Sequence, residues 1–497
     1  MKYNKTNVYT IIPGNGCKTR IWLFVLSAAL LASGCKKYLE QVPDNRTELD
    51  SPEKVAQLLT TAYPIADYIT FCEAMSDNAG LRGAQGGYPE NEEPYLFRDF
   101  PGTGSGTPNF YWSSCYKAIA AANQALEACK GQSANNAYAA YKGEALVARA
   151  YLHFMLAALF AKTYDPATAT TDPGIPYVLE PEKTLYKQYE RKTVAYVYEM
   201  IEKDLTEGIS LLNDNAYKIP AFHFTNRAAH AFASRFYLFK RQYDKVIEHA
   251  GKALPAGNPA GSLRPWNTVY LPLTDNELFA RYTNSTEKAN FLLAGAGSAW
   301  AREAGDYKYG LNSIIAKELF NKPNVTGTKF VYIILETTIP ETKVLPKFKE
   351  NFVETAPGVG YAFIYIPLFS AEETLFNRAE ANVMSGNFDA ALSDLNAFVS
   401  TRTRNYNATQ DNLTPDKVKA FYKTTDLKTA LISTILDFKR MEFMGEGFRW
   451  FDILRHRLPV THRTKDGAVI TLTADDPRKV LQIPQFAQSY GITPNPR

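Results

Sequence analysis

The sequence predicts a mostly α-helical chain: a helical-repeat scaffold interrupted by a loop-rich insertion with short strands. Three observations predict it. Long stretches at 110–130, 137–164, 192–212 and from about 427 onward carry apolar residues at helical period. Two copies of a helix–turn–aromatic–Asp–helix pattern occur, around Tyr243-Asp244 and Phe388-Asp389. Between them, residues 259–369 are dense in Gly and Pro and hold only short β-like runs, such as 330–335 and 361–366. The 497 residues suffice for a large core without staples. Hydrophobic residues at 45% and charged residues at 21% exclude wholesale disorder. A net charge of +4 gives no nucleic-acid footprint, so nucleic acid is excluded as a partner. The aromatic content of 13%, with 31 Tyr, exceeds what a core alone needs. Tyrosine presents a flat apolar face with a polar tip, so the excess points to binding area.

The elements follow in order. Lys2, Lys5, Lys18 and Arg20 form a basic leader, and residues 21–32 are a twelve-residue apolar run. That length fits a signal-peptide hydrophobic region and is short for a membrane span. Ala32-Ser33-Gly34 then precede Cys35, a pattern similar to a bacterial lipobox, with Leu31 one place earlier than the usual branched residue. The expectation is a signal peptide over 1–34, removed, and a lipidated Cys35 opening a tether over 35–50. Acyl chains on one residue anchor a body firmly, since each buried methylene contributes about 0.8 kcal/mol. No other stretch reads as a membrane span. Of the remaining cysteines, Cys115 and Cys129 lie on one helical pattern about 21 Å apart, outside disulfide reach.

The body begins at 51. Ser51-Pro52-Glu53 opens a helix expected to reach about Tyr68. Residues 80–108 read as a long loop, a length that is uncommon unless functional. In the helix at 137–164, Glu144-Ala145-Leu146-Val147-Ala148-Arg149-Ala150-Tyr151-Leu152 places small residues where two helices approach. The two repeats fit the tetratricopeptide pattern, with Asp244 and Asp389 suited to cap the second helix of each. The scaffold accordingly takes in about 51–80, 110–255 and 370–455. Near the end, Lys439 to Asp452 reads K-R-M-E-F-M-G-E-G-F-R-W-F-D, with Gly445 and Gly447 breaking one helix before the next.

This order of elements resembles the SusD/RagB family of Bacteroidetes outer-membrane lipoproteins: the lipid Cys, the E-A-L-V-A-R-A-Y-L helix, the aromatic-Asp repeat, the R-A-E-A helix at Arg378 to Ala381 and the Lys439 to Asp452 block. The resemblance covers nearly all of the mature chain. It implies about four tetratricopeptide-like helix pairs packed against a TonB-dependent transporter of the SusC type. It implies a less regular part that binds an oligosaccharide, or a peptide, at the outer membrane, a lipid anchor there, and no enzymatic activity or cofactor. Lys36 and Lys37 follow the lipid Cys where surface-exported lipoproteins of this phylum often carry acids, so outward or periplasmic facing is left open.

Glycan binding needs aromatic faces for sugar rings with polar groups nearby for hydroxyls. Two loop-rich regions supply candidates: Tyr88, Tyr95 and Phe97 in the first, and Trp266, Tyr282, Trp300, Tyr307 and Tyr309 in the second. Asn78, Arg82, Asn91, Asn276, Asn284 and Arg302 are the polar options. Each aromatic can alternatively pack its own loop. Arg440, Glu442, Glu446, Arg449 and Asp452 read as an ion-pair network fixing two helices. No catalytic set is expected: the adjacent acid pairs do not face each other, and G-x-S-x-G and P-loop patterns are missing from the sequence. The six His have no metal-ligand spacing, and His153 sits in an apolar helix as a core residue. The rival readings are a protein-docking scaffold without a small ligand and a lipoprotein glycosidase.

Overall fold

The computed structural model describes residues 49–132, 136–184, 187–255 and 257–497. The expected signal peptide, Cys35 and most of the tether lie outside the described residues. The helices are α1 (Pro52–Leu59), α2 (Ile69–Met75), α3 (Pro89–Tyr95), α4 (Pro108–Ala128), α5 (Ala139–Phe160), α6 (Val194–Leu211), α7 (Asn226–Phe239), α8 (Tyr243–Ala253), α9 (Asp275–Tyr282), α10 (Trp300–Glu303), α11 (Ser313–Phe320), α12 (Ala371–Met384), α13 (Phe388–Ser400), α14 (Ala408–Asp411), α15 (Pro415–Tyr422), α16 (Leu427–Glu442), α17 (Phe448–Arg455) and α18 (Gln485–Ser489). The strands are β1 (Gly80–Leu81), β2 (Asn290–Ala296), β3 (Tyr309–Gly310), β4 (Leu335–Glu336), β5 (Lys343–Val344), β6 (Glu350–Ala356), β7 (Val359–Ser370), β8 (Val460–Arg463) and β9 (Val469–Leu472).

Hydroxyl caps set the helix starts. Thr107, Thr193, Thr225 and Ser370 each accept the backbone N–H three residues on, satisfying a donor the helix itself leaves free. The scaffold is a succession of packed neighbours: α4 on α5, α5 on α6, α7 on α8, α8 on α12, α12 on α13 and α16, α15 on α16. Small residues allow the closest approach. A Cβ on Gly143 of α5 would sit 2.8 Å from the Gly208 carbonyl of α6.

Four expectations change. The first helix ends at Leu59, and α2 follows separately. The stretch 80–108 is not all loop, because it contains β1 and the two-turn helix α3. Asp244 and Asp389 do not cap: they sit in the first turns of α8 and α13, after Gln242 and Asn387. There a carboxylate still opposes the positive end of the helix dipole. Finally, α5 is long and apolar enough to cross a membrane, yet all of its apolar window is buried within the protein.

The insertion's sheet is antiparallel, in the order β2-β7-β6. β7 pairs with β2 from Ser370↔Asn290 to Ile364↔Ala296 and continues outward into a hairpin with β6. β1 pairs with β3 through Gly80↔Gly310, bringing the first loop onto the insertion.

Charge runs through the core. Arg264, Glu372, Arg402 and Glu442 are each at most 1% exposed. Arg264 Nη1 donates to Glu372 Oε2 at 2.7 Å, Arg402 Nη2 to Glu372 Oε1 at 3.1 Å, and Arg402 Nε to Glu442 Oε2 at 2.9 Å. Lys347 continues the chain to Glu446 at 2.7 Å. Burial raises the Glu442 carboxyl, but Arg402 beside it outweighs this and holds it below its usual range.

The Lys439 to Asp452 block is structural, as the ion-pair reading has it, and it reaches further than two helices. Gly445 and Gly447, at φ +81° and +78°, turn their N–H groups onto Glu73 Oε1 of α2 at 3.0 and 2.8 Å. Arg449 clasps Asp77 with 2.8 and 2.9 Å bonds, and Arg440 donates to Asn78 at 2.9 Å. Lys439 bonds Asp452.

His153 is a fully buried core residue. Val178 N–H donates to its Nε2 at 3.0 Å, which places the ring proton on Nδ1, donating to the Arg149 carbonyl at 2.9 Å. Burial pushes its pKa down to about 3. The unfolded chain takes this proton near pH 6.5, the folded chain only near 3. Stability is therefore expected to be undiminished by this group above about pH 6.5, to fall as pH drops below it, and to level off near 3. Urea midpoints compared between pH 7.5 and 5, with His153→Gln flattening the slope, check this.

Candidate functional site

The first loop and the insertion are sewn together by backbone-directed side chains. Asn91 pairs with the Tyr309 backbone in both directions, Nδ2 to carbonyl at 2.9 Å and N–H to Oδ1 at 3.1 Å. Arg82 donates to the carbonyls of Leu311, Ala304 and Lys343 at 3.0, 2.5 and 3.0 Å. Burial lowers its pKa to about 10, so it stays charged at neutral pH. Asn78 is spent on Arg440 and Glu73. These three polar candidates therefore build the site's frame.

The frame brings three of the predicted rings together. Tyr88, just ahead of α3, meets Tyr307 edge-on, with centroids 5.1 Å apart at 74°. Trp300, opening α10, lies 5.8 Å from Tyr307 at 50°. Ser298 Oγ accepts the Trp300 N–H at 3.1 Å and fixes the start of that short helix. Tyr307 is 2% exposed, while Tyr88 and Trp300 beside it are half-buried. Arg302, Glu303, Asp306 and Glu90 flank them. Burial and the charges of Asp306, Glu303 and Glu90 raise the Tyr88 phenol, so it keeps its proton as a donor. Burial, with Glu303 and Glu92, also raises Glu90. The hollow beneath Trp300, lined by Glu73, Arg82, Lys347 and Gly445, is about 50 Å³, room for a few waters.

The other predicted aromatics point inward. Tyr95 is 1% exposed, stacked between Tyr309 at 3.6 Å and His462 at 4.0 Å. Tyr309 is buried with it. Trp266 and Tyr282 are fully buried in a small core with Tyr270 and Leu278, and Tyr282 donates to Glu446 at 2.7 Å. These four rings are core, and they pack across distant segments: Tyr95 on Tyr309 and His462, Trp266 on Tyr332, and Tyr282 onto Glu446. Phe97 lines a separate cleft of about 390 Å³ against the C-terminal segment, with Phe100 and Arg478. Asn276 and Asn284 are exposed, and Asn284 is tied into its own turn with Thr286. The composition missed Glu90, Glu303 and Asp306, which lie within six residues of Tyr88 or Trp300 and were legible as polar neighbours. Among the described residues, no three His, Cys, Asp or Glu side chains converge as a metal site.

Two family models match the chain. One, described as "Starch-binding associating with outer membrane", matches residues 37–238; the other, the SusD family, matches residues 342–487. The fold recurs in a SusD superfamily protein of Bacteroides thetaiotaomicron, 21% identical with a TM-score of 0.67, covering 91% of this chain and 100% of that one. A SusD-like carbohydrate binding protein of Bacteroides vulgatus is 18% identical, with a TM-score of 0.65 and coverage of 88% and 96%. A laminarin-binding SusD-like protein is 18% identical, with a TM-score of 0.58 and coverage of 91% and 99%. No curated protein matches significantly. The two matched segments take in the E-A-L-V-A-R-A-Y-L helix and the Lys439 to Asp452 block, and the helical scaffold between solved relatives is shared: the chain belongs to the SusD/RagB family of outer-membrane-associated binding proteins.

Proposed function

We propose that the chain is a lipid-anchored glycan-binding protein that captures an oligosaccharide across Tyr88, Tyr307 and Trp300 and passes it, uncut, to a TonB-dependent transporter of the SusC type. One observation carries the reading: two loops over 200 residues apart are laced together so that two half-buried rings flank a buried third, with acids and Arg302 at the margin. Rings supply stacking area and the margin supplies partners for hydroxyls. The tetratricopeptide-like helices and Cys35 serve docking and anchoring in this reading. Without Cys35 the chain is expected to lose membrane association, which fractionation of Cys35→Ala cells reads.

Isothermal titration against soluble polysaccharides tests binding. Trp300→Ala and Tyr88→Ala are expected to weaken the bound glycan at least about tenfold, the order of a lost stacking contact, with an unchanged urea midpoint. No new reducing ends should appear during incubation. Unchanged affinity in both variants sinks the site; released sugar sinks the non-catalytic reading.

A further inference from the structure

The β6–β7 hairpin stands beside this surface, and its composition and posture point to more than support. Arg302, two residues after Trp300, donates Nη1 to Glu350 Oε2 at 2.7 Å. Glu350 opens β6 and Phe352 follows two residues later. Alternate strand residues share a face, so Phe352 stands on the face that meets Arg302, about 7 Å farther along the strand. Its side chain is 59% exposed. Its ring approaches the paired strand: a Cβ at Gly360 would be 2.7 Å from both Cε1 and Cζ of Phe352, and 2.1 Å from the Val353 carbonyl oxygen. The ring is thus held close to the paired strand while more than half of the residue meets solvent. That is the posture of a stacking platform, and it depends on position 360 having no side chain.

The charges narrow the ligand. Among residues 351–369 the one Asp, Glu, Lys, Arg or His is Glu354, and its Oε1 is spent on the Gly358 N–H of the hairpin turn at 2.6 Å. Beside Trp300 and Tyr88 stand Glu90, Glu303 and Asp306, and the nearby cations are already engaged: Arg302 with Glu350, Lys308 with Glu92, and the buried Lys347 and Arg82 with Glu446 and backbone carbonyls. An uncharged wall meeting an acidic margin repels a polyanion and accepts a neutral chain.

We propose that the hairpin is the outer wall of the glycan surface, that Phe352 stacks a further ring of the same chain, and that the surface takes an extended neutral polysaccharide in preference to an acidic one. This rests on the reading of Tyr88 and Trp300 as a glycan site. The test is titration of the full mature chain with laminarin, amylopectin and polygalacturonate, then with short and long oligosaccharides of whichever polymer binds. Wild type should bind a neutral polymer and not polygalacturonate. Phe352→Ala should weaken the polymer and long oligosaccharides about tenfold while leaving the shortest bound oligosaccharide within about twofold. Phe352→Ser, which also removes the ring, should do the same. Unchanged unfolding midpoints identify both as surface effects. Preference for polygalacturonate overturns the neutral class. Polymer affinity unchanged in both variants, or lost equally for short and long ligands, overturns the role of Phe352, including the case in which Phe352→Ala instead weakens capture of the transporter. If wild type binds no glycan, the underlying reading falls with the proposal; if Trp300→Ala abolishes binding and Phe352→Ala does not, only the proposal falls.

Discussion

Replacing Arg402 by Met is expected to destabilise the protein by about 3–5 kcal/mol, read as a lowered urea midpoint at constant slope. Arg402 is fully buried and holds Glu372 at 3.1 Å and Glu442 at 2.9 Å. Its loss leaves two carboxylates in the interior with one cation fewer. Arg264 still answers Glu372, so the larger cost falls at Glu442, whose other partner is the Tyr332 hydroxyl at 2.6 Å. The double replacement Arg402→Met with Glu442→Gln should recover much of the loss, because it removes the charge along with its partner. If the double variant is as unstable as the single one, packing rather than charge sets the cost.

Trp266→Ala is expected to cost a similar amount, about 3–5 kcal/mol, as a cavity in a sealed cluster. The indole is fully buried against Tyr270, Tyr282 and Tyr332, and its ring nitrogen has no hydrogen-bond partner. Trp266→Phe should therefore be tolerated far better, since no bond is lost with the nitrogen. Neither variant should change the affinity for a glycan except through the fraction folded, in contrast to Trp300→Ala. A Trp266→Ala protein that unfolds at the wild-type midpoint and loses glycan affinity would return that residue to the binding surface.

Much of the scaffold was legible because helical period is a local signal. The Glu144 to Leu152 run, the two aromatic-Asp repeats and the Gly445/Gly447 break each state their structure within about ten residues. Departures arise where local signals conflict. Pro89, Pro94 and the flanking glycines read as loop, yet Pro89 starts α3 and Pro94 sits inside it, stabilised by burial of Asn91 and Tyr95. The hairpin is half legible: 361–366 is a continuous apolar and aromatic run, but its partner β6, across the Ala356-Pro357-Gly358 turn, mixes Glu350, Asn351, Glu354 and Thr355 into its run. The candidate rings were the least legible. Trp266 and Trp300 occupy equally loop-like sequence, and what separates them is a distant contact: Trp266 is covered by Tyr332 and Tyr282, whereas Trp300 meets Tyr307 and stays half-buried. No period or spacing encodes which side of a loop ends up covered.

The lacing of Asn91 to Tyr309 spans 218 residues of chain. Closing so long a segment is a non-local step, which is expected to follow the local helix contacts. Recognition competence should then be the last property gained during refolding and the first surrendered in mild denaturant, ahead of far-ultraviolet circular dichroism. Stitching the two segments covalently would make them part together only with the whole molecule.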